Sequence, residues 1–270
     1  MSDWMRRQAG HYAAERIEHA LIGEGDLPNH VELVWHGVND RTNLRHFLAS
    51  PVRWGECDLR RDPEGRLALR HDPFGGVPGD RSERPLLAEE LLRAAGAGDK
   101  GIKLDVKERD IIDELVALIG GIGVAGNDLW FNGRLDVLGE DGLRRLRRTW
   151  PNAIVQCPVD VIAPLVLATP ERARAMLDEL AWWGVDRFSL AWDPTFTATL
   201  LDRFDQWGHD VNVYSVATLD DFLRAVMLLP RSVTADFNFP EWHYFGRGAG
   251  HGGRYHRYQL DAAPVAADVA

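Results

Sequence analysis

Short β-rich runs alternate with helical patterns along the whole of this 270-residue chain, and few folds accept that rhythm. The runs begin near Val31, Val52, Gly101, Asp128, Ala153, Arg187, Asp210 and Ser232, most of them roughly 20–35 residues apart. Between them, Asn43–Ala49, Pro85–Ala95, Arg109–Leu118, Asp141–Trp150, Pro170–Trp183, Thr197–Trp207 and Leu219–Leu229 carry apolar residues at helix spacing. Thr169 ahead of Pro170 is a typical helix start, with proline at the first helical position. Eight strand–helix units in succession predict a closed parallel (β/α)8 barrel of the TIM type. A doubly wound open sheet is the alternative, but no Gly-rich phosphate loop follows the first run.

The rhythm breaks in three places. Between the second and third runs lie a hairpin-like segment (Arg61–Arg70), a Gly/Pro-rich loop (Phe74–Asp80) and a helix, an insertion that suits a substrate lid. The eighth strand has no good helix after it. Residues 1–27 read as an extension with an extra amphipathic helix, Trp4–Ile22, expected to pack where the eighth helix is missing. The barrel domain is expected over 28–245, followed by a Gly/Ala-rich tail over 246–270.

A net charge of −10 argues against nucleic acid or an anionic membrane held by bulk electrostatics. A small anionic substrate is still accommodated, because a local cation and lysine outweigh a diffuse negative surface. Cys57 and Cys157 are the two cysteines and form no Cys-x-x-Cys, so neither a disulfide framework nor a thiolate zinc site is expected. The N-terminus lacks a signal-type apolar region and no run reaches about 18 apolar residues. A reduced, cytoplasmic protein without a membrane span is the expectation.

Chemistry-bearing residues gather at the C-terminal ends of the early runs. VELVWHGVN brings His36, VRWGECDLRR brings Glu56 and Asp58, RLALRHDP brings His71, and GIKLDVK brings Lys103, Asp105 and Lys107. Side chains two apart share a strand face, so Glu56 lies beside Asp58, and Lys103, Asp105 and Lys107 align. Three carboxylates converging at one sheet end repel one another unless a cation joins them. One divalent ion, Mg²⁺ or Ca²⁺, suits Glu56, Asp58 and Asp105, since hard cations take oxygen ligands. His36 and His71 have the side chain suited to proton transfer near neutrality. Lys107 can stabilise charge added to a phosphoryl group.

This pattern resembles the glycerophosphodiester phosphodiesterase superfamily of PLC-like barrels. Its members carry a His ending strand one, Glu-x-Asp ending strand two, a downstream His (here His71-Asp72) and an acidic-x-Lys on strand three. His36-Gly-Val-Asn39, Glu56-Cys-Asp58 and Asp105-Val-Lys107 are also similar to segments of the sphingomyelinase D branch. The nearest resemblance is to the menorin family, through Trp35–Asn39, Glu56-x-Asp58, Gly101–Lys107 and Leu129-Trp-Phe-Asn132, and it covers residues 31–136. Asp105 stands where glycerophosphodiesterases usually have Glu, and the disulfide-bearing loops of the venom enzymes are absent. The resemblance implies a metal-dependent phosphodiesterase acting on a glycerophosphodiester-like or lysophospholipid-like substrate. In it a water or substrate hydroxyl attacks phosphorus, with the two histidines as base and acid. Tyr214-Ser215 falls where many such enzymes place an aromatic pocket residue, and Thr234-Ala-Asp236 resembles their final strand.

Other residues carry two readings each. Asn39 either binds substrate phosphate or caps the helix near Asp40, with capping favoured. Lys103 either binds substrate or neutralises the carboxylates. Asn132 is a candidate for the pocket wall; Tyr214 and Trp192 are pocket walls or barrel filling. The run Arg144–Arg148 reads as a solvated helix face with leucine inward. His243, His251 and His256 sit in a Gly-rich context with a weak metal reading. Cys57 points away from Glu56 and Asp58 and is expected behind the barrel. Two alternative functions remain: a non-catalytic menorin-like binding or scaffold protein that keeps the pocket, and a metal-dependent sugar isomerase or aldolase. The latter usually draws ligands from later strands as well.

Overall fold

The computed structural model describes residues 31–50, 52–75 and 84–235. The expected N-terminal helix, the 246–270 tail, the three late histidines and most of the Phe74–Asp80 loop lie outside these residues. Nine strands are present among them: β1 (Glu32–Trp35), β2 (Trp54–Arg61), β3 (Leu67–Leu69), β4 (Gly101–Val106), β5 (Leu129–Gly133), β6 (Ile154–Pro158), β7 (Arg187–Ala191), β8 (Asp210–Val216) and β9 (Ser232–Ala235). Eight pair in parallel in the order β1, β2, β4, β5, β6, β7, β8, β9, and the β1–β9 pairing closes the ring. The barrel expected from the alternation is therefore present. β3 stands outside it, pairing antiparallel with the end of β2 through Leu59–Leu69 and Arg61–Leu67, as the hairpin reading required.

Eight helices accompany these strands among the described residues: α1 (Arg41–Ala49), α2 (Ala88–Ala97), α3 (Ile112–Ile122), α4 (Leu135–Thr149), α5 (Ala163–Ala168), α6 (Pro170–Trp182), α7 (Thr197–Gln206) and α8 (Leu219–Met227). Two differ from expectation. The helical pattern read from Asp141 begins six residues sooner, at Leu135, and is broken at Gly139, whose φ of 60° lies outside helical space. The short α5 has no counterpart in the periodicity, because six residues are too few to show a stripe.

Alternation divides each strand between two cores. Outward residues such as Cys57, Leu104, Phe131, Val155, Phe188 and Val213 are at most 1% exposed and pack beneath the helices. Leu143 and Leu146 of α4 join them, which leaves Arg145 and Arg148 exposed, whereas Arg144 and Arg147 are half-buried against Trp182 and the Gly184 carbonyl rather than solvated as expected. Inward, Val34, Trp54 and Trp130 form a small apolar plug across the barrel. Trp54 and Trp130 meet edge to face with centroids 5.4 Å apart. Gly101 makes room for that plug, since a Cβ there would lie 2.4 Å from the Trp54 ring. Lys103 and Arg187 both rest against Trp130, at 4.7 and 4.4 Å from its centroid. Above the plug the interior turns polar, and the cavity begins.

Candidate active site

A cavity of about 640 Å³ opens at the C-terminal ends of the strands, the face on which barrels of this kind carry their sites. His36, Glu56, His71, Asp105 and Lys107 line it together. Segments separated by up to 71 positions are thus joined because β1, β2 and β4 are neighbours and the β3 hairpin brings His71 to them.

The carboxylates are held from behind. Asp58 is fully buried, and Asn39 grips it twice: the Asn39 Nδ2 donates to Asp58 Oδ2 at 2.6 Å, and the Asp58 backbone N–H donates to Asn39 Oδ1 at 2.8 Å. The cap of α1 is Asp40, whose side chain accepts from the Asn43 N–H at 2.8 Å, so the capping expected of Asn39 is corrected. With its own amide committed to Asp58 and only 1% exposed, Asn39 stands behind the cavity wall. Glu56 Oε2 accepts from the Gly37 N–H at 3.0 Å, and His36 Nε2 lies 3.7 Å from the same oxygen. Gly37 has φ 77°, a left-handed conformation that suits glycine at this turn.

Glu56, Asp58 and Asp105 each present an oxygen within 4.8 Å of the others. Burial and the neighbouring Asp58 charge push the Glu56 carboxyl up to about 7. Burial would raise Asp58 as well, but Lys107, His71 and His36 outweigh it and hold Asp58 well below the usual range. The Lys107 ammonium sits between them, 2.8 Å from Asp58 Oδ1 and in contact with Asp105. Burial opposes that charge, yet the acidic neighbours raise its pKa above the ordinary lysine value. Three crowded oxygens and a carboxyl that keeps its proton near neutrality fit a hard divalent cation. No metal need be invoked to see the strain that one would relieve.

The folded Glu56 pKa lies above the unfolded one, so its contribution to stability is present below about 4.5 and is lost as pH rises through about 7. The melting temperature of metal-free protein should therefore fall between pH 5 and 8, and Glu56→Gln should flatten that fall. Metal affinity should rise over the same interval with proton release. Calorimetry in buffers of different ionisation enthalpy checks the proton count; no release at pH 6 would contradict the assignment.

His71 ends the β3 hairpin. Its Nδ1 lies 2.8 Å from Asp72 Oδ1, an arrangement that orients the ring. Arg60, which the sequence did not single out, also lines the cavity. Its Nε donates to the His71 carbonyl at 2.8 Å and its guanidinium pairs with Glu108 at 3.3 Å, tying the hairpin to the end of β4. Lys103 lies deeper. Burial lowers its pKa to about 8 although Glu56 and Asp105 oppose the fall, and it donates to Thr234 Oγ1 at 3.1 Å.

The opposite wall belongs to β5–β9. Asn132 and Tyr214 line it, Thr234 of the final strand lies with them, and Gln156, Ser189 and Asn212 join them unannounced. Asn132 Oδ1 accepts from Gln156 Nε2 at 2.8 Å, while the Tyr214 hydroxyl donates to Asp160 Oδ2 at 2.7 Å. A register shift between Val213 and Val216, with Ser215 at φ 59°, re-aims this strand at the rim. Trp192 instead borders a separate apolar groove with Leu223 and Met227. Cys57 is free and buried behind the barrel, as read, and Cys157 is free and buried too.

The barrel is similar in fold to solved structures. A glycerophosphodiester phosphodiesterase from Parabacteroides distasonis superposes with a TM-score of 0.58 at 13% identity, over 79% of this chain and 95% of that one. Another from Agrobacterium tumefaciens gives 0.55 at 14% identity, over 76% and 96%. The likeness is one of fold. No family model and no curated protein matches the chain by sequence. Among the described residues, no helix is long and apolar enough to cross a membrane.

Proposed function

We propose that this barrel is a metal-dependent phosphodiesterase. The observation that carries the reading is the convergence of His36, Glu56, His71, Asp105 and Lys107 on one cavity, with an oxygen of the buried Asp58 within 4.8 Å of those of Glu56 and Asp105. The fold shared with the two phosphodiesterases supports it. Glu56, Asp58 and Asp105 would hold one divalent ion, Mg²⁺ or Ca²⁺. Such an ion supplies charge neutralisation and a fixed seat for phosphate oxygens.

The chain's own residues do the rest. One imidazole takes the proton from the attacking water or hydroxyl as its oxygen bonds to phosphorus. The other protonates the departing alcohol as the second phosphorus–oxygen bond breaks. Lys107 has three donors, of which two face carboxylates, and the third would serve a phosphoryl oxygen. Asn39 keeps Asp58 in register, and Lys103 balances the carboxylates from below. Substrate is taken as a small phosphodiester of the glycerophosphodiester or lysophospholipid type, and the menorin-like and sphingomyelinase-like motifs favour this reading of the chemistry. A cytoplasmic setting is part of the same proposal.

Phosphorus NMR of a glycerophosphodiester panel, with Mg²⁺ and with chelator, tests the proposal. Cleavage should require the metal. Saturating metal should also stabilise the fold by about 2.7 kcal/mol at a hundredfold excess over Kd. Replacing Glu56, Asp58 and Asp105 together by Asn or Gln should erase that stabilisation. If calorimetric metal binding survives the triple replacement, the metal assignment is wrong. A scaffold role takes its place if no phosphodiester is cleaved.

A further inference from the structure

Two buried amide atoms on the wall facing the histidines have no partner. Gln156 is 1% exposed and Asn212 is fully buried, yet Gln156 Oε1 and Asn212 Nδ2 make no hydrogen bond. Both residues line the cavity. Burying such groups unpaired is costly, and native interiors seldom tolerate it without a ligand or water.

The surrounding network fixes which atom of each amide is left over. Lys103 Nζ donates to Thr234 Oγ1 at 3.1 Å, and Arg187 donates to Ser232 Oγ at 3.2 Å. Lysine and arginine are donors with no acceptor to offer, so each hydroxyl must turn its own hydrogen elsewhere. Both turn it to Asn212 Oδ1, at 3.0 Å from Thr234 and 2.8 Å from Ser232. Asn212 is therefore held with its NH₂ group as the spare donor. Gln156 spends its NH₂ on Asn132 Oδ1 at 2.8 Å, which leaves its carbonyl oxygen as the spare acceptor.

A spare donor and a spare acceptor on two residues that line one cavity are the complement of hydroxyl groups, which both give and receive hydrogen bonds. β6 and β8 are separated by one strand, about 10 Å between their axes, so a single hydroxyl does not serve both. We propose that Gln156 and Asn212 are specificity-determining residues that read two hydroxyls of a ring-sized polyol, a sugar or cyclitol, esterified to the phosphate. The assignment rests on the phosphodiesterase reading for the phosphate end of that ligand. It disfavours choline-like or acyl groups, which leave both atoms unpaired.

Binding separates the polyol question from turnover. Wild-type protein in Mg²⁺ buffer is titrated calorimetrically with myo-inositol 1-phosphate and with cyclohexyl phosphate, which keeps the ring and phosphate but has no hydroxyls. The polyol phosphate should bind at least about tenfold tighter, the scale of unpaired buried polar groups. In Gln156→Met and Asn212→Leu that preference should collapse, while affinity for cyclohexyl phosphate stays at the wild-type value. Asn212→Leu strands the Ser232 and Thr234 hydroxyls and could unfold; the wild-type comparison and Gln156→Met then decide alone. Equal wild-type affinity for the two phosphates, binding of neither, or a preference that persists in both variants overturns the proposal, and buried water becomes the partner of these atoms. Cleavage of bis(p-nitrophenyl) phosphate, a hydroxyl-free diester, is followed in parallel. Its absence counts against the phosphodiesterase reading, and its presence without a polyol preference counts against the subsite only.

Discussion

His36→Ala and His71→Ala are each expected to lower phosphodiester turnover about 10²–10⁴-fold, the usual scale for losing a general acid or base. Neither should unfold the protein. The His36 ring is half-buried at the edge of the cavity, and His71 has 37% of its side chain exposed. Metal affinity should change little, since the carboxylates rather than the imidazoles supply the oxygen cluster. The two mutants separate on a diester with an activated leaving group. Such a substrate needs little help from the acid, so loss of the acid is largely rescued and loss of the base is not. Asp72→Asn gives a graded control, because it removes the charge that orients the His71 ring while sparing the ring itself. Wild-type rates in both alanine variants, on a substrate the protein demonstrably cleaves, would sink the acid–base assignment.

Lys107→Met carries the second large expectation, and its readout is stability. The ammonium is the cation that joins Asp58 and Asp105, and Asp58 has no exposed surface at all. Removing one partner of a buried ion pair leaves a carboxylate without compensation, a loss of about 3–5 kcal/mol. Metal-free Lys107→Met should therefore melt lower by about 10 °C or more. Saturating Mg²⁺ should restore much of that loss, because the ion and the ammonium neutralise the same oxygens. Turnover should fall even in the metal-loaded variant, through lost charge stabilisation at phosphorus. A metal-free variant that melts with the wild type would show that Asp58 is neutralised by other means.

The barrel was legible because each of its strands keeps a β-rich run and each long helix keeps a stripe. Those patterns survive without knowledge of contacts. The charged half of the site was legible for a related reason. Glu56 with Asp58, and Asp105 with Lys107, sit two apart at strand ends, so their convergence follows from pleat geometry. The facing wall was harder. A strand such as DVNVYSV reads as apolar on one side and polar on the other, and a half-buried sheet would turn Asn212 to water. In a closed barrel the polar side is the inside, so Gln156, Ser189 and Asn212, which read locally as surface residues, are buried within it. Arg60 was hidden differently. It belongs to the Arg60-Arg61 pair, and nothing local says that one arginine reaches the His71 carbonyl while its neighbour pairs with Glu114. Asn39 shows the opposite hazard. Its place before a helix suggests a cap, but Asp40 takes that task and frees Asn39 to hold a carboxylate 19 positions away.

The cavity's two walls come from different stretches of chain. All of its histidines, its Glu56 and Asp105 carboxylates and its lysines fall between His36 and Lys107, on β1, β2, β4 and the β3 hairpin. Its neutral amides and small hydroxyls fall after them, from Asn132 to Thr234. On the proposed reading, reaction and recognition would be encoded in separate halves of the gene. Random libraries confined to codons 132–234 would sample new alcohols while the machinery for breaking the ester stayed intact. Chimeras joined in the α3 region, near residue 120, would graft that machinery onto another barrel's taste in substrates.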